Sequence, residues 1–562
     1  MVDGAALVEL AQVAIGEGNV AGALARLREA VAAGPNPSAR ELLGGLLFYE
    51  DDLVGARREL EQAFREWMAV GEVRAAALVA AALADLHSSG FGNRVVGQGW
   101  VSRARRLLAP EGRCVEQGYV ELAVVACETR DVERLEQAAA LAMELANEFG
   151  DHELEVRALA DSGYALVMRG RVAEGFSRLD DAMAALSAGE VHRPATAGKS
   201  YCALLSACER TGDVARATEW TRVIAQTLTG PSGRSRVMHS QCRLVYGSVL
   251  CIAGMWSEGE AALLEALGPE GTVYFAHHAE AAVRLALLRL LQGRVEEAAE
   301  LLRPFEERPD ACEALSRLHL VAGDFDLAEA VARRGLNTVR GDLLFAGTFR
   351  SLLVEIELAR HSVDAAAEHA DALTRLAEGA GHRPLHAEAD LAQGRVAAHR
   401  SDSGAAARVL QRARSHLDTD ERPLLAATIA LELAEVLAAA GDRGAAVDQA
   451  RAAIGIFDRL GASLLVDCSE ALLRSLGVHA RSVSRRRAVA AAGLTGREQQ
   501  VLDLLREGLT NPEIGERLFI SAKTAEHHVC RVLAKLGVRS RAEAAAVATA
   551  VALAPEPPRP AL

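Results

Sequence analysis

Leu494-Thr495-Gly496-Arg497-Glu498-Gln499-Gln500-Val501-Leu502 opens the stretch that decides the fold, and it runs on through Asn511-Pro512-Glu513-Ile514 and Ser521-Ala522-Lys523-Thr524-Ala525 to Lys535-Leu536-Gly537-Val538. Thr495 with Glu498 three residues later has capping-box spacing. Val501, Leu502, Leu504, Leu505 and Leu509 then recur on one helical face, and Gly508 marks the end. Asn511, followed by Pro512, reads as the cap of a short second helix with Ile514 and Leu518 inward. Ser521 reads as the cap of a third. In that third helix Ala525, Val529, Val532, Leu533 and Leu536 form an apolar stripe, and Lys523, Glu526, His527, Cys530, Arg531 and Ala534 occupy the opposite face. An apolar back and a polar, basic front are what a helix needs to lie in a DNA major groove, where phosphate contacts set register and base contacts set sequence. Ser540 and Glu543 predict a fourth helix, whose body from Ala544 to Ala552 is nearly all Ala and Val, small enough for two helices to approach closely.

Working outward, the 562 residues carry a net charge of −14, half of them hydrophobic but only 4% aromatic. Ala and Leu dominate, which favours helix. From residue 481 onward there are 13 Lys/Arg against 8 Asp/Glu, so a basic end follows an acidic body. That asymmetry fits local DNA contact with little non-specific adhesion. The start of the chain lacks a basic leader and no apolar run reaches the ~18 residues of a membrane span, so a cytoplasmic protein is expected. Nine scattered cysteines without paired spacing read as reduced thiols.

Over residues 1–480 a Gly/Asp turn followed by an Ala/Leu-rich helix recurs at Gly18, Asp51, Arg130, Gly170, Gly212, Gly254, Gly293, Gly323, His361, Ser401 and Gly441. The spacing is 30–42 residues, save one interval of 79 that predicts a further pair near Gly90 to Leu108. Such a period marks a helical solenoid whose hairpins bury their faces only by stacking. Arg481, Arg485, Arg486 and Arg487 make 481–493 a basic linker, and the Pro-rich 554–562 reads as a disordered tail.

Three features invite a chemical reading and lose it. Gly198-Lys199-Ser200 lacks the first glycine of a phosphate-binding loop, since Arg193 stands there, and no strand precedes it. His382 and His386 have helical metal spacing, but Pro384 between them argues for a surface loop. His277-His278 reads as a surface or packed pair. No catalytic set, metal site or cofactor is expected, and no enzymatic activity.

The pattern Leu494-Thr495-x-Arg497-Glu498, Gly508-Leu509-Thr510-Asn511-x-Glu513-Ile514, Ile520-Ser521-x-Lys523-Thr524 and Lys535-Leu536-Gly537-Val538 resembles the LuxR-type (GerE-like) DNA-binding domain over 494–553. Examples such as Gly293-Arg294-Val295-Glu296-Glu297-Ala298 resemble degenerate tetratricopeptide repeats. Together the resemblances imply an all-α chain: a tetratricopeptide-like solenoid, then a four-helix helix-turn-helix domain whose third helix, 522–536, reads double-stranded DNA. Carried over by position, Glu526, His527 and Cys530 face bases, while Lys523, Thr524, Arg531 and Lys535 face the backbone, with Ser521 beside them. Ala544, Ala545, Val547 and Ala548 become the homodimer helix. The array is expected to bind an unknown protein, peptide or small molecule, with RNA polymerase a further candidate partner and no membrane role. A repeat scaffold with vestigial DNA binding is the alternative. Glu526 departs from the Lys or Arg common at its position; a carboxylate there can accept from cytosine N4 but cannot bond guanine acceptors.

Overall fold

Seven of the turns predicted from spacing are helix-to-helix corners that share one pattern of hydrogen bonding. In the computed structural model Gly170 N–H donates to the Val167 carbonyl and Arg171 N–H to that of Leu166, both at 2.9 Å, with Gly170 at φ 80°. This double bond ties off a helix C-terminus with one left-handed residue. It recurs at Gly254, Gly293, Gly323, His361, Ser401 and Gly441. At two of these corners the carboxylate of the Asp that follows caps the next helix: Asp402 accepts from Ala405 N–H at 2.9 Å and Asp442 from Ala445 N–H at 3.1 Å.

The structure describes residues 4–16, 19–50, 52–128, 131–191, 193–227, 241–267, 275–417, 422–478, 496–518, 520–536, 540–541 and 544–545. It divides into two units, Met1–Ser469 and Glu470–Leu562. In the first, successive antiparallel helices pair into hairpins, for example His152–Met168 with Val172–Ser187 and Pro423–Ala439 with Arg443–Leu460. The pair expected in the long interval is present as Val73–Asp85 and Arg94–Leu108, joined through a π-helical segment, Leu86–Gly90. Helix faces toward neighbours are apolar: Val156, Ala160 and Val167 from one helix share a core with Leu179, Ala182 and Met183 from the next, all fully buried. Among the described residues there is no strand, only one isolated bridge between Asp131 and Arg340, and no helix is long and apolar enough to cross a membrane.

That bridge belongs to a seam within the first unit. Val132 N–H donates to the Arg340 carbonyl at 3.1 Å and Gly381 N–H to the Gly170 carbonyl at 2.9 Å. The Gly212 turn lies against Arg422, and the Gly254 turn against Pro423 and Leu460. Ser463 Oγ donates to the Gln292 carbonyl at 2.6 Å. Five consecutive corners therefore rest on connections far later in the chain, and for the first three the separation is about 210 residues.

Of the features weighed in the sequence, His382 alone is corrected here. Gly198-Lys199-Ser200 lies inside helix Pro194–Thr211, and Lys199 pairs with Asp85 at 2.5 Å. His382 is buried, not in a surface loop: it precedes helix Arg383–His399, and Pro384 falls in the first turn, where its missing N–H breaks no bond. His278 Nδ1 lies 3.0 Å from the Leu267 carbonyl with its ring on Phe305. The linker 481–493 and the tail 554–562 lie outside the described residues.

Candidate nucleic-acid interface

Three helices, Gly496–Arg506, Asn511–Leu518 and Ala522–Leu536, make the core of the C-terminal module. Val501, Leu502, Leu504 and Leu505 from the first meet Ile514 from the second and Ala525, Val529 and Val532 from the third, with Leu509, Leu518, Ile520 and Leu533 around them. This is the predicted apolar stripe, and it fixes which side of the third helix is left for solvent.

The ends are fixed by side chains. Thr510 N–H and Thr510 Oγ1 both donate to the Glu513 carboxylate, at 2.7 and 2.6 Å, and Ile514 N–H donates to the Thr510 carbonyl. Thr510 is thus the cap of the second helix, one residue before the expected Asn511, because Glu513 sits three residues after Thr510 and closes the box. These bonds hold the Glu513 carboxyl below its ordinary range. Ser521 caps the third helix as expected: its Oγ accepts from Thr524 N–H at 3.1 Å and lies 2.8 Å from Thr524 Oγ1. Arg497 donates to the Leu518 carbonyl at 2.5 Å and Arg541 to that of Leu509, so two guanidiniums tie off two helix ends.

Against that frame Lys523, Thr524, Glu526 and Arg531 are all exposed on the third helix, and Ser521 is exposed at its start. The side chains of His527 and Cys530 lie outside the described ones. The ammonium of Lys535, expected beside the phosphates, bonds the Glu498 carboxylate at 2.7 Å, and Glu498 is 3% exposed. A carboxylate buried that far requires a counter-charge. Sequence reasoning missed the pair because Glu498 had a local role as a capping residue; Thr495, its expected partner, lies outside the described residues. Ala544 is a second correction. It is fully buried in the module's own core, so its methyl is used there and not on a dimer face. Ala545 is half-buried, and Val547 and Ala548 lie outside the described residues.

The module can therefore present two cations, a carboxylate and a hydroxyl along one rigid helix, a set able to hold phosphates and accept from a base amino group. Among the described residues no group of three or more His, Cys, Asp or Glu is placed to hold a metal.

Comparison with known proteins agrees with this geometry. Residues 492–548 match the profile of the bacterial regulatory proteins of the luxR family (GerE). The chain is 50% identical over 54 residues to the DNA-binding transcriptional activator DevR/DosR of Mycobacterium tuberculosis, covering 10% of this chain and 25% of that one. It is 52% identical over 52 residues to the transcriptional regulatory protein LiaR of Bacillus subtilis, covering 9% and 25%. The match thus spans about a quarter of the length of these relatives. Among solved structures, the Cut9–Hcn1 hetero-tetramer of APC/C aligns with a TM-score of 0.47 at 13% identity, over 82% of this chain and 89% of that one. On the matched profile and the helices that realise it, residues 492–548 are a LuxR-family helix-turn-helix domain, set C-terminal to an all-helical repeat array.

Proposed function

We propose that the chain is a cytoplasmic transcription regulator: the helix at 522–536 enters a DNA major groove, and the repeat array controls when it does so. The observation that carries this reading is the third helix itself, with Ala525, Val529 and Val532 in the core and Lys523, Glu526 and Arg531 exposed opposite. Lys523 and Arg531 would hold phosphates, with Ser521 and Thr524 at the helix start. Glu526, His527 and Cys530 would lie nearest the bases. With Lys535 bound to Glu498, its part is to seat the helix on the module. Dimerisation would place two such helices on two half-sites, through surfaces beyond Ala544.

The test is capture of sheared genomic DNA by the full-length chain at low salt, followed by sequencing. One enriched, roughly two-fold-symmetric site, lost in a Lys523→Ala/Arg531→Ala double variant that remains folded, would support the reading. Enrichment of no site, or enrichment unchanged in the double variant, would discard it in favour of a repeat scaffold.

A further inference from the structure

We propose that the seam inside the repeat array is a latch: the array opens and closes along it as one unit, while the hairpins on either side stay folded. The inference concerns the array alone and does not depend on the DNA-binding reading.

The two sides of the seam meet mainly at corners, and helix Leu343–Ala359 touches helices His152–Met168 and Pro194–Thr211 far less than paired helices touch each other. A Cβ at Gly170 would lie 2.6 Å from the Cβ of Ala380 and 2.8 Å from its Cα, and one at Gly254 would lie 2.6 Å from Leu460 and 2.8 Å from Pro423. Glycine corners bring backbone close but supply no side-chain surface, so little apolar area is available per station. What joins the sides is the Val132–Arg340 and Gly381–Gly170 backbone bonds, the Ser463–Gln292 bond, and an ion pair between Arg210 and the buried Asp342 at 3.0 Å. An apolar grip is added by one buried cluster that runs across the seam, with Val156, Val167 and Leu204 on the earlier side and Leu344, Leu373 and Ala380 on the later, and by the Arg210 guanidinium 4.5 Å over the Phe345 ring. Each hairpin, by contrast, is held along the length of its helices, as by Ala387, Leu391, Leu410, Ile429 and Leu433. The weaker junction opens first when a structure opens in parts.

The stations must move together. Corners 131, 170, 212, 254 and 293 sit on consecutive hairpins that pack on one another, so one cannot separate far without its neighbours. Corners outside the seam show the contrast: at Gly323 and Gly441 nothing lies within 4 Å of a built Cβ. A ligand that binds the open or the closed form better would shift the balance, which gives the array a two-state element for a signal to bias.

Native-state hydrogen exchange on the full-length protein tests this, read at the Val132 and Gly381 amides with the Val167 and Val245 helix amides as internal reference. In the unmodified protein both seam amides should exchange together, through an opening far less costly than that of the reference amides. Ser463→Ala removes a bond at the last station and should raise exchange at Val132 and Gly381 about threefold to tenfold, as loss of one hydrogen bond predicts, with the references unchanged. Ala380→Leu, a wedge against Gly170, should do the same at Val132. Seam amides that exchange only with the reference helices, or a Ser463→Ala protein in which Val132 and Gly381 are unmoved, would overturn the proposal. If Ala380→Leu does not fold, the unmodified protein and Ser463→Ala still decide it.

Discussion

Replacing Gly170 and Gly441 separately by alanine should give two different costs from the same chemical change. Both glycines sit in the left-handed region, at φ 80° and 85°, and a non-glycine residue there costs about 1–2 kcal/mol. Gly441 meets no further obstacle, and the equivalent corners are already held by His361 and Ser401 at φ 60° and 61°. Gly441→Ala should therefore lose about 1–2 kcal/mol and no more. At Gly170 the new methyl would stand 2.6 Å from Ala380 Cβ and 2.8 Å from its Cα. Backbone cannot swing aside as a side-chain tip can, so an overpacking cost of about 1–3 kcal/mol adds to the conformational one. Urea unfolding followed by tryptophan fluorescence is the assay, since Trp67, Trp100, Trp220 and Trp256 all lie in the array and none in the DNA-binding module. Equal shifts for the two variants, or a larger one for Gly441→Ala, would refute the claim that Gly170 is pressed against a distant segment.

Three further outcomes are expected. Lys523→Ala and Arg531→Ala should each weaken DNA binding at all sequences alike and flatten the dependence of log affinity on log salt by about 0.9 per lost phosphate contact, measured by fluorescence anisotropy over a salt series. Glu498→Gln should lower the stability of the module by about 1–2 kcal/mol, less than a fully buried pair would lose because the Lys535 side chain is 36% exposed and can rehydrate; differential scanning calorimetry of the full-length protein should show the module's transition moving and the array's unmoved. Burial, then Arg422 and His386, push the His382 imidazole down to about 3. Its folded form thus binds fewer protons than its unfolded form, so stability is complete above about pH 6.5 and falls as the pH drops toward 3, with about 2 kcal/mol gone by pH 5. His382→Gln should flatten that part of the stability–pH curve, and an unchanged slope between pH 6.5 and 5 would count against the assignment.

What could be read from the chain beforehand was local. The corners were legible because a left-handed glycine and a capping Asp stand side by side, and the stripe of the third module helix because Ala525, Val529 and Val532 share one helical face. The second helix was misplaced by one residue because Thr510 and Asn511 are both good caps; the Thr510-to-Glu513 spacing was the signal that separates them. Interactions across long intervals were not legible. Lys535 and Glu498 each had a plausible neighbourly role, and only the fold reveals that one neutralises the other. His382 looked like a loop residue because nothing nearby in sequence announces that its neighbour Gly381 bonds Gly170 or that Arg422 lies close to its ring. The seam was invisible for the same reason, and more so because two of its bonds, Val132 to Arg340 and Gly381 to Gly170, join backbone atoms, which carry no sequence signature.

The distance along the chain between the two sides of that seam bears on how the protein emerges from the ribosome. A repeat array whose units touch only their neighbours can fold as fast as it is made. Here the corner at Asp131 waits for Arg340 and the corner at Gly170 for Gly381. At translation speeds of about 5–20 residues per second that is a delay of about 10–40 s. For that interval the nascent chain holds finished hairpins with one edge bare, and this is the window in which a chaperone, or a second nascent copy, would find it.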